Sequence, residues 1–125
     1  MQINIEKLEA AVQELKGTLK EGLLATSIWD RSTGLSLALI NPQPAADAMF
    51  TELTKTLNST LVDSGFPALN RYYFLDLEGN HSAMIIRHGD DLLQGILMNS
   101  LKVNLGVLLS IALPRMLASV EKART

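Results

Sequence analysis

Between Asn70 and Asn99 the chain carries three short apolar runs, NRYYFLDL, HSAMIIRH and LLQGILMN, separated only by Glu78-Gly79-Asn80 and Gly89-Asp90-Asp91. Glycine-containing links this short are tight turns, so the runs are successive strands of an antiparallel meander. Whatever else the chain forms must supply the layers that cover this sheet. The first of the strands, Arg71-Tyr72-Tyr73-Phe74 and onward, puts aromatics on both of its faces. Such a strand is stable only where both faces are covered or its edge meets something, which makes it the best candidate for a contact surface.

The flanking sequence provides the cover. From Asn4 the apolar positions Ile5, Leu8, Val12, Leu15 and Leu19 recur at steps of three and four, one buried helical stripe that Gly17 and Gly22 end before a coiled coil could build up. LLATSIWD and LSLALI follow, joined by Arg31-Ser32-Thr33-Gly34, and form a hairpin. Asn41-Pro42-Gln43-Pro44 breaks the sheet pattern, and Pro44 suits the first turn of a second helix that runs to about Asp63. Met49, Phe50, Leu53, Leu57 and Leu61 make its apolar side, while Thr51, Thr54, Thr56, Asn58, Ser59 and Thr60 give the other side little charge. Two readings of that uncharged side stand: a face desolvated against a partner, or an ordinary mildly polar surface. A last helix from about Asn104 to Lys122 opens on Asn104 as N-cap, and Pro114 inside it predicts a kink. Lys122 and Arg124 at its far end complement the helix dipole.

The 125 residues allow one domain, spanning 1–125, and 47% hydrophobic residues suffice for a core. A net charge of -2 offers nothing to a phosphate backbone, so nucleic acid is not an expected partner. The most apolar stretch, Val103 to Leu113, is bounded by Lys102 and Pro114-Arg115, short of the ~20 residues a bilayer span needs. The charged N-terminus has no leader-like apolar run, and a cytoplasmic location is the expectation.

The absence of cysteine excludes disulfides, thiolate metal sites and cysteine nucleophiles. No serine sits in a G-x-S-x-G elbow, no glycine pattern cradles phosphate, and no calcium-loop spacing occurs. His81 and His88 have opposite parity on one strand and cannot share a metal or a proton. Asp76, Glu78, Asp90 and Asp91 sit at turns, where carboxylates cap backbone amides. The Asn58 and Asn80 sequons, without a leader, are chance matches. Trp29 is either an interface anchor or part of the core, with the core the commoner fate. The expectation is therefore no catalytic residue, no metal and no cofactor.

The order helix, two strands, helix, three strands, helix resembles the roadblock (dynein light chain) domain family across the whole chain. The likeness rests on Leu24 to Leu39 with Trp29-Asp30-Arg31 and Gly34, on the long second helix, on the Gly79 hairpin and on Asn104-Leu105-Gly106. The resemblance implies an α+β, profilin-like fold: a five-stranded antiparallel sheet, the first and last helices on one face and the second on the other. It further implies a homodimer through Met49, Leu53, Leu57 and Thr60 of the second helix and Tyr72, Tyr73, Phe74 and Leu75 of the third strand. It implies a non-enzymatic adaptor or regulator of a small Ras-like GTPase, for which Arg31, Arg71 and Arg87 are the available arginines and none is singled out. The alternative is a small-molecule sensor of the same fold, with Trp29, Met84 or Met98 lining its pocket.

Overall fold

The computed structural model describes residues 2–125. Helix α1 (Ile5–Leu19) is capped by the Asn4 side chain, which accepts from the Lys7 amide at 3.0 Å, and buries Leu8, Ala11, Val12, Leu15 and Leu19. The stripe is the one its spacing predicts except at Ile5, which is exposed at the start of the helix. Gly17 does not stop the helix, which runs two residues further into a single 3-10 turn, Lys20–Gly22. Gly22 is required there for a different reason: a Cβ would stand 2.5 Å from Val103 Cγ2 and 2.7 Å from the Lys102 carbonyl oxygen.

Strands β1 (Leu23–Asp30) and β2 (Ser36–Ile40) form the first hairpin, helix α2 (Pro44–Asp63) follows, and β3 (Tyr72–Leu77), β4 (His81–His88) and β5 (Leu92–Asn99) form the meander. All pairs are antiparallel, in the order β2-β1-β5-β4-β3. The hairpin thus docks beside β5 rather than β3, which leaves β2 and β3 as the two edges. Helix α1 lies over β1 and β2, and the C-terminal helix (105–123) lies over β4 and β5 on the same face. Ile28, Met84, Ile86, Ile96 and Met98 pack beneath them. Helix α2 covers the opposite face, where Trp29, Ala83, Ile85 and Leu93 form a smaller cluster around Phe50. This is the expected α+β layered architecture.

The C-terminal helix opens on Asn104, whose side chain accepts from the Val107 amide at 3.1 Å. The proline is accommodated by a change of helix type. Leu108–Ala112 form a π turn immediately before Leu113–Ala123, a widening that absorbs the missing amide and the ring of Pro114.

Arg124 has a different role from the dipole partner its position suggests. It lies just past the helix, where its guanidinium grips Asp91 through two nitrogens at 2.8 and 2.9 Å and donates to the His88 carbonyl at 2.9 Å. Asn4 donates to the Ala123 carbonyl and Thr125 to that of Gln2, so both chain ends are tied over the β4–β5 turn. Arg124→Ala should cost about 1–2 kcal/mol of stability in urea unfolding. Lys122→Ala, outside the clamp, should change it by less than about 0.5 kcal/mol.

Candidate functional site

Helix α2 seats on the sheet mainly through polar side chains. Asp47, Thr51, Thr54 and Asn58 recur at steps of four, three and four, one row along the helix. Ser27 and Ser36 hydroxyls donate to Asp47 Oδ2 at 3.0 and 3.2 Å, joining β1 and β2 to the first turn of the helix. The Trp29 indole donates to Thr51 Oγ1 at 2.8 Å, and that hydroxyl donates to the Asp47 carbonyl. Thr54 and the Tyr73 hydroxyl share a 2.8 Å hydrogen bond, and Asn58 Oδ1 accepts from the Leu69 amide at 2.9 Å. Burial raises the pKa of Asp47, against the two serine hydroxyls that stabilise its charged form.

The threonine side predicted to face solvent is thus divided. Thr51 and Thr54 turn to the sheet, and Met49 and Leu53, on the apolar side by spacing and in an interface by resemblance, turn away from it. Met49 is 54% and Leu53 37% exposed, Thr60 is exposed and Leu57 is half-buried. Met49, Leu53, Thr56 and Thr60 form a row of uncharged residues that Asp63 continues at the end of the helix, with Glu52 on its flank and Lys55 further around. On β3 the alternation separates the four named residues: Tyr73 and Leu75 lie half-buried under α2, and Tyr72 and Phe74 are exposed on the other face. The outer edge of β3 pairs with no strand. A helix row on α2 and the outer edge of β3 are thus uncovered.

Among the described residues neither histidine ring bonds a serine or threonine hydroxyl. His88 is buried beside the C-terminal helix, with its ring nitrogen Nε2 2.9 Å from Gln94 Oε1. Gln94 Nε2 donates to Thr26 Oγ1, so its oxygen is the acceptor and His88 Nε2 carries the proton. Thr26 in turn donates to the Gly95 carbonyl. Burial pushes the His88 pKa down to about 4, the nearby Arg124 guanidinium adds to this, and Gln94 and Asp91 oppose it. His81, at the other end of the strand, is exposed. Among the described residues no three His, Asp or Glu side chains gather as a metal site. Arg87 donates to the Leu69 carbonyl at 2.6 Å, fixing the approach to β3.

Trp29, Met84 and Met98 are fully buried and do not share a pocket. Trp29 lies in the cluster under α2, where its ring stands 3.5 Å from the position of a Cβ on Gly95, and the two methionines lie in the cluster on the other face. The cleft beside Asp47 and Phe50 holds about 10 Å³, room for about one water.

No protein-family model matches the sequence, and no curated protein aligns with it significantly. Solved structures do match. MglB of Myxococcus xanthus superposes with a TM-score of 0.77 at 11% identity, covering 100% of this chain and 96% of that one. The chain has the roadblock fold. A Roadblock/LC7 domain from Streptomyces avermitilis superposes at 0.55 with 13% identity, covering 86% and 88% of the two chains. Schizosaccharomyces pombe profilin does so at 0.58 with 12% identity, covering 91% and 94%. The roadblock and profilin likeness expected from the order of elements is thus present in the fold.

Two measurements follow from this geometry. Asp47→Ala leaves the Ser27 and Ser36 hydroxyls without their acceptor and should cost about 1–3 kcal/mol in urea unfolding. His88 stays neutral when folded and titrates near 6.5 when unfolded, so its contribution is full above pH 6.5 and is lost as pH falls toward 4. The loss over that window is about 3 kcal/mol, and a His88→Gln variant should show a flatter stability profile there than the parent.

Proposed function

We propose that this chain is a roadblock-type, non-enzymatic homodimer that serves as an adaptor or regulator of a small Ras-like GTPase in the cytoplasm. The dimer forms through the uncharged row of α2 and the open edge of β3, with Met49, Leu53, Leu57 and Thr60 meeting their counterparts and Tyr72, Tyr73, Phe74 and Leu75 lying along the joined strands. The observation that carries this reading is the reversed polarity of α2, which spends its polar row on the sheet and leaves apolar side chains outside. A soluble monomer would ordinarily bury such a row. Joining two β3 edges satisfies their free ladder groups across an isologous interface and makes one ten-stranded sheet. The roadblock fold shared with MglB supports the GTPase assignment. Such a protein acts by presenting surfaces to the GTPase, whose own groups carry out hydrolysis.

Leu53→Glu should halve the mass measured by light scattering while the far-UV spectrum persists, whereas Lys55→Glu, around the helix from the row, should leave the dimer intact. An unchanged mass for folded Leu53→Glu would place the dimer surface elsewhere. The partner is tested by capture from native lysate with a non-hydrolysable GTP analogue or with GDP. A Ras-like GTPase recovered in a nucleotide-dependent manner supports the assignment, and recovery of the chain alone overturns it.

A further inference from the structure

The pairing of β3 with β4 continues one step before the first residue of β3. Tyr72 lies opposite Ile86, and the Arg87 amide donates to the Arg71 carbonyl at 2.7 Å, so Arg71 and Arg87 are directly opposed across the two chain segments. They share the parity of Tyr73 and Ile85, which pack beneath α2, and so rise on the α2 face. Opposed residues have Cβ atoms about 4.5–5.5 Å apart, and like charges at that spacing are destabilising. A third cation belongs to the same corner. Thr51, Lys55, Asn58 and Val62 recur at steps of four, three and four and form one flank of α2. Asn58 accepts from the Leu69 amide and Arg87 Nη1 donates to the Leu69 carbonyl, so the flank that carries Lys55 is the one beside Arg87.

None of these three charges is neutralised by the chain itself. Asp and Glu outnumber Lys and Arg by 13 to 11, yet the salt bridges among the described residues engage only Lys102, Arg124 and their partners. Arg87 is half-buried, has the Leu69 carbonyl as its acceptor, and keeps its Nε buried without one. Arg71 and Lys55 are exposed and free to close on the guanidinium that Leu69 holds in place. An anion seated among the three removes their mutual repulsion. A carboxylate carries one charge and fills one guanidinium fork, whereas a phosphate monoester is close to doubly charged at pH 7 and has oxygens for both guanidiniums and the ammonium together. We propose that Lys55, Arg71 and Arg87 form a binding site for a phosphate group, either a free phosphate or one carried on a partner's side chain. The site lies within one chain and does not depend on the β3-paired dimer or on the GTPase assignment.

The probes are inorganic phosphate and a phosphoserine peptide with its unmodified serine parent, titrated into the full chain at constant ionic strength. The readout is proton–nitrogen NMR of the backbone amides and the arginine Nε–H groups. Inorganic phosphate should shift the Leu69, Arg71 and Arg87 signals saturably with a Kd below about 10 mM, and acetate should not. Arg71→Gln should weaken the affinity at least ~10-fold and Lys55→Gln about 3-fold, while Lys122→Gln, on the other face, should leave it unchanged. Both altered side chains are exposed, and an unmoved Trp29 indole signal verifies that the variants are folded. A phosphopeptide that binds more tightly than phosphate, with its serine parent silent, identifies a phosphate borne by a partner protein. A phosphopeptide that binds no more tightly identifies the free anion. Signals that do not move, shifts that never saturate or that acetate reproduces, and an affinity unchanged in Arg71→Gln each overturn the site.

Discussion

The structure depends on how α2 is held. An amphipathic helix ordinarily docks by its apolar stripe, and burial of that stripe supplies most of its stability. Here Phe50 is the one large apolar side chain of α2 that is buried, and the attachment is completed by Asp47, Thr51, Thr54 and Asn58. Each bond is worth only about 0.5–1.5 kcal/mol net, but each also satisfies a polar group beneath the helix: two serine hydroxyls, the Trp29 indole and the Tyr73 hydroxyl on the sheet, and the Leu69 amide on the approach to β3. The position of the helix is consequently fixed at four points along its length, from the β1–β2 hairpin to the approach to β3.

That arrangement determines what the outside of α2 can be. With the polar row turned inward, the helix presents Met49, Leu53, Thr56 and Thr60 outward, with Asp63 closing that row at the helix end and Glu52 and Lys55 to one side of it. The same helix holds Tyr73 from above through Thr54, which leaves the alternate residues Tyr72 and Phe74 on the far face of an edge strand. One docking mode thus produces both uncovered surfaces. A helix seated by its leucines would have hidden the first and left Trp29 Nε1 and Tyr73 Oη without partners.

Much of this was legible in the sequence. The meander, the hairpin and the stripe of α1 follow from spacing and turn residues, because those elements bury what their periodicity says they bury. The orientation of α2 was not, because two rows share the helix, Phe50-Leu53-Leu57-Leu61 and Asp47-Thr51-Thr54-Asn58, and hydropathy favours the first. The second announces itself only through its i, i+4, i+7, i+11 spacing, and its value depends on partners over ten residues away. The clamp made by Arg124 is hidden in the sequence for the same reason: its acceptors, Asp91 and the His88 carbonyl, lie more than thirty residues earlier. Pro114 did perturb its helix, by a π turn whose form no propensity specifies.

The sheet between the two helical layers is itself held in register by polar groups on both faces. Under the C-terminal helix, His88, Gln94 and Thr26 form a closed chain of hydrogen bonds across β4, β5 and β1, and under α2 Ser27 and Trp29 do the same work toward Asp47 and Thr51. A slip of one residue in β1 would exchange its two faces, delivering Thr26 to the carboxylate side and Ser27 to the leucine side, and would orphan several buried donors at once. Apolar packing alone would penalise that slip far less, since Ile28 and Trp29 are both large and both fully buried. The polar pairs therefore specify one register where hydrophobicity permits two, and the edge strand β3 inherits its alternation from that fixed register through β5 and β4.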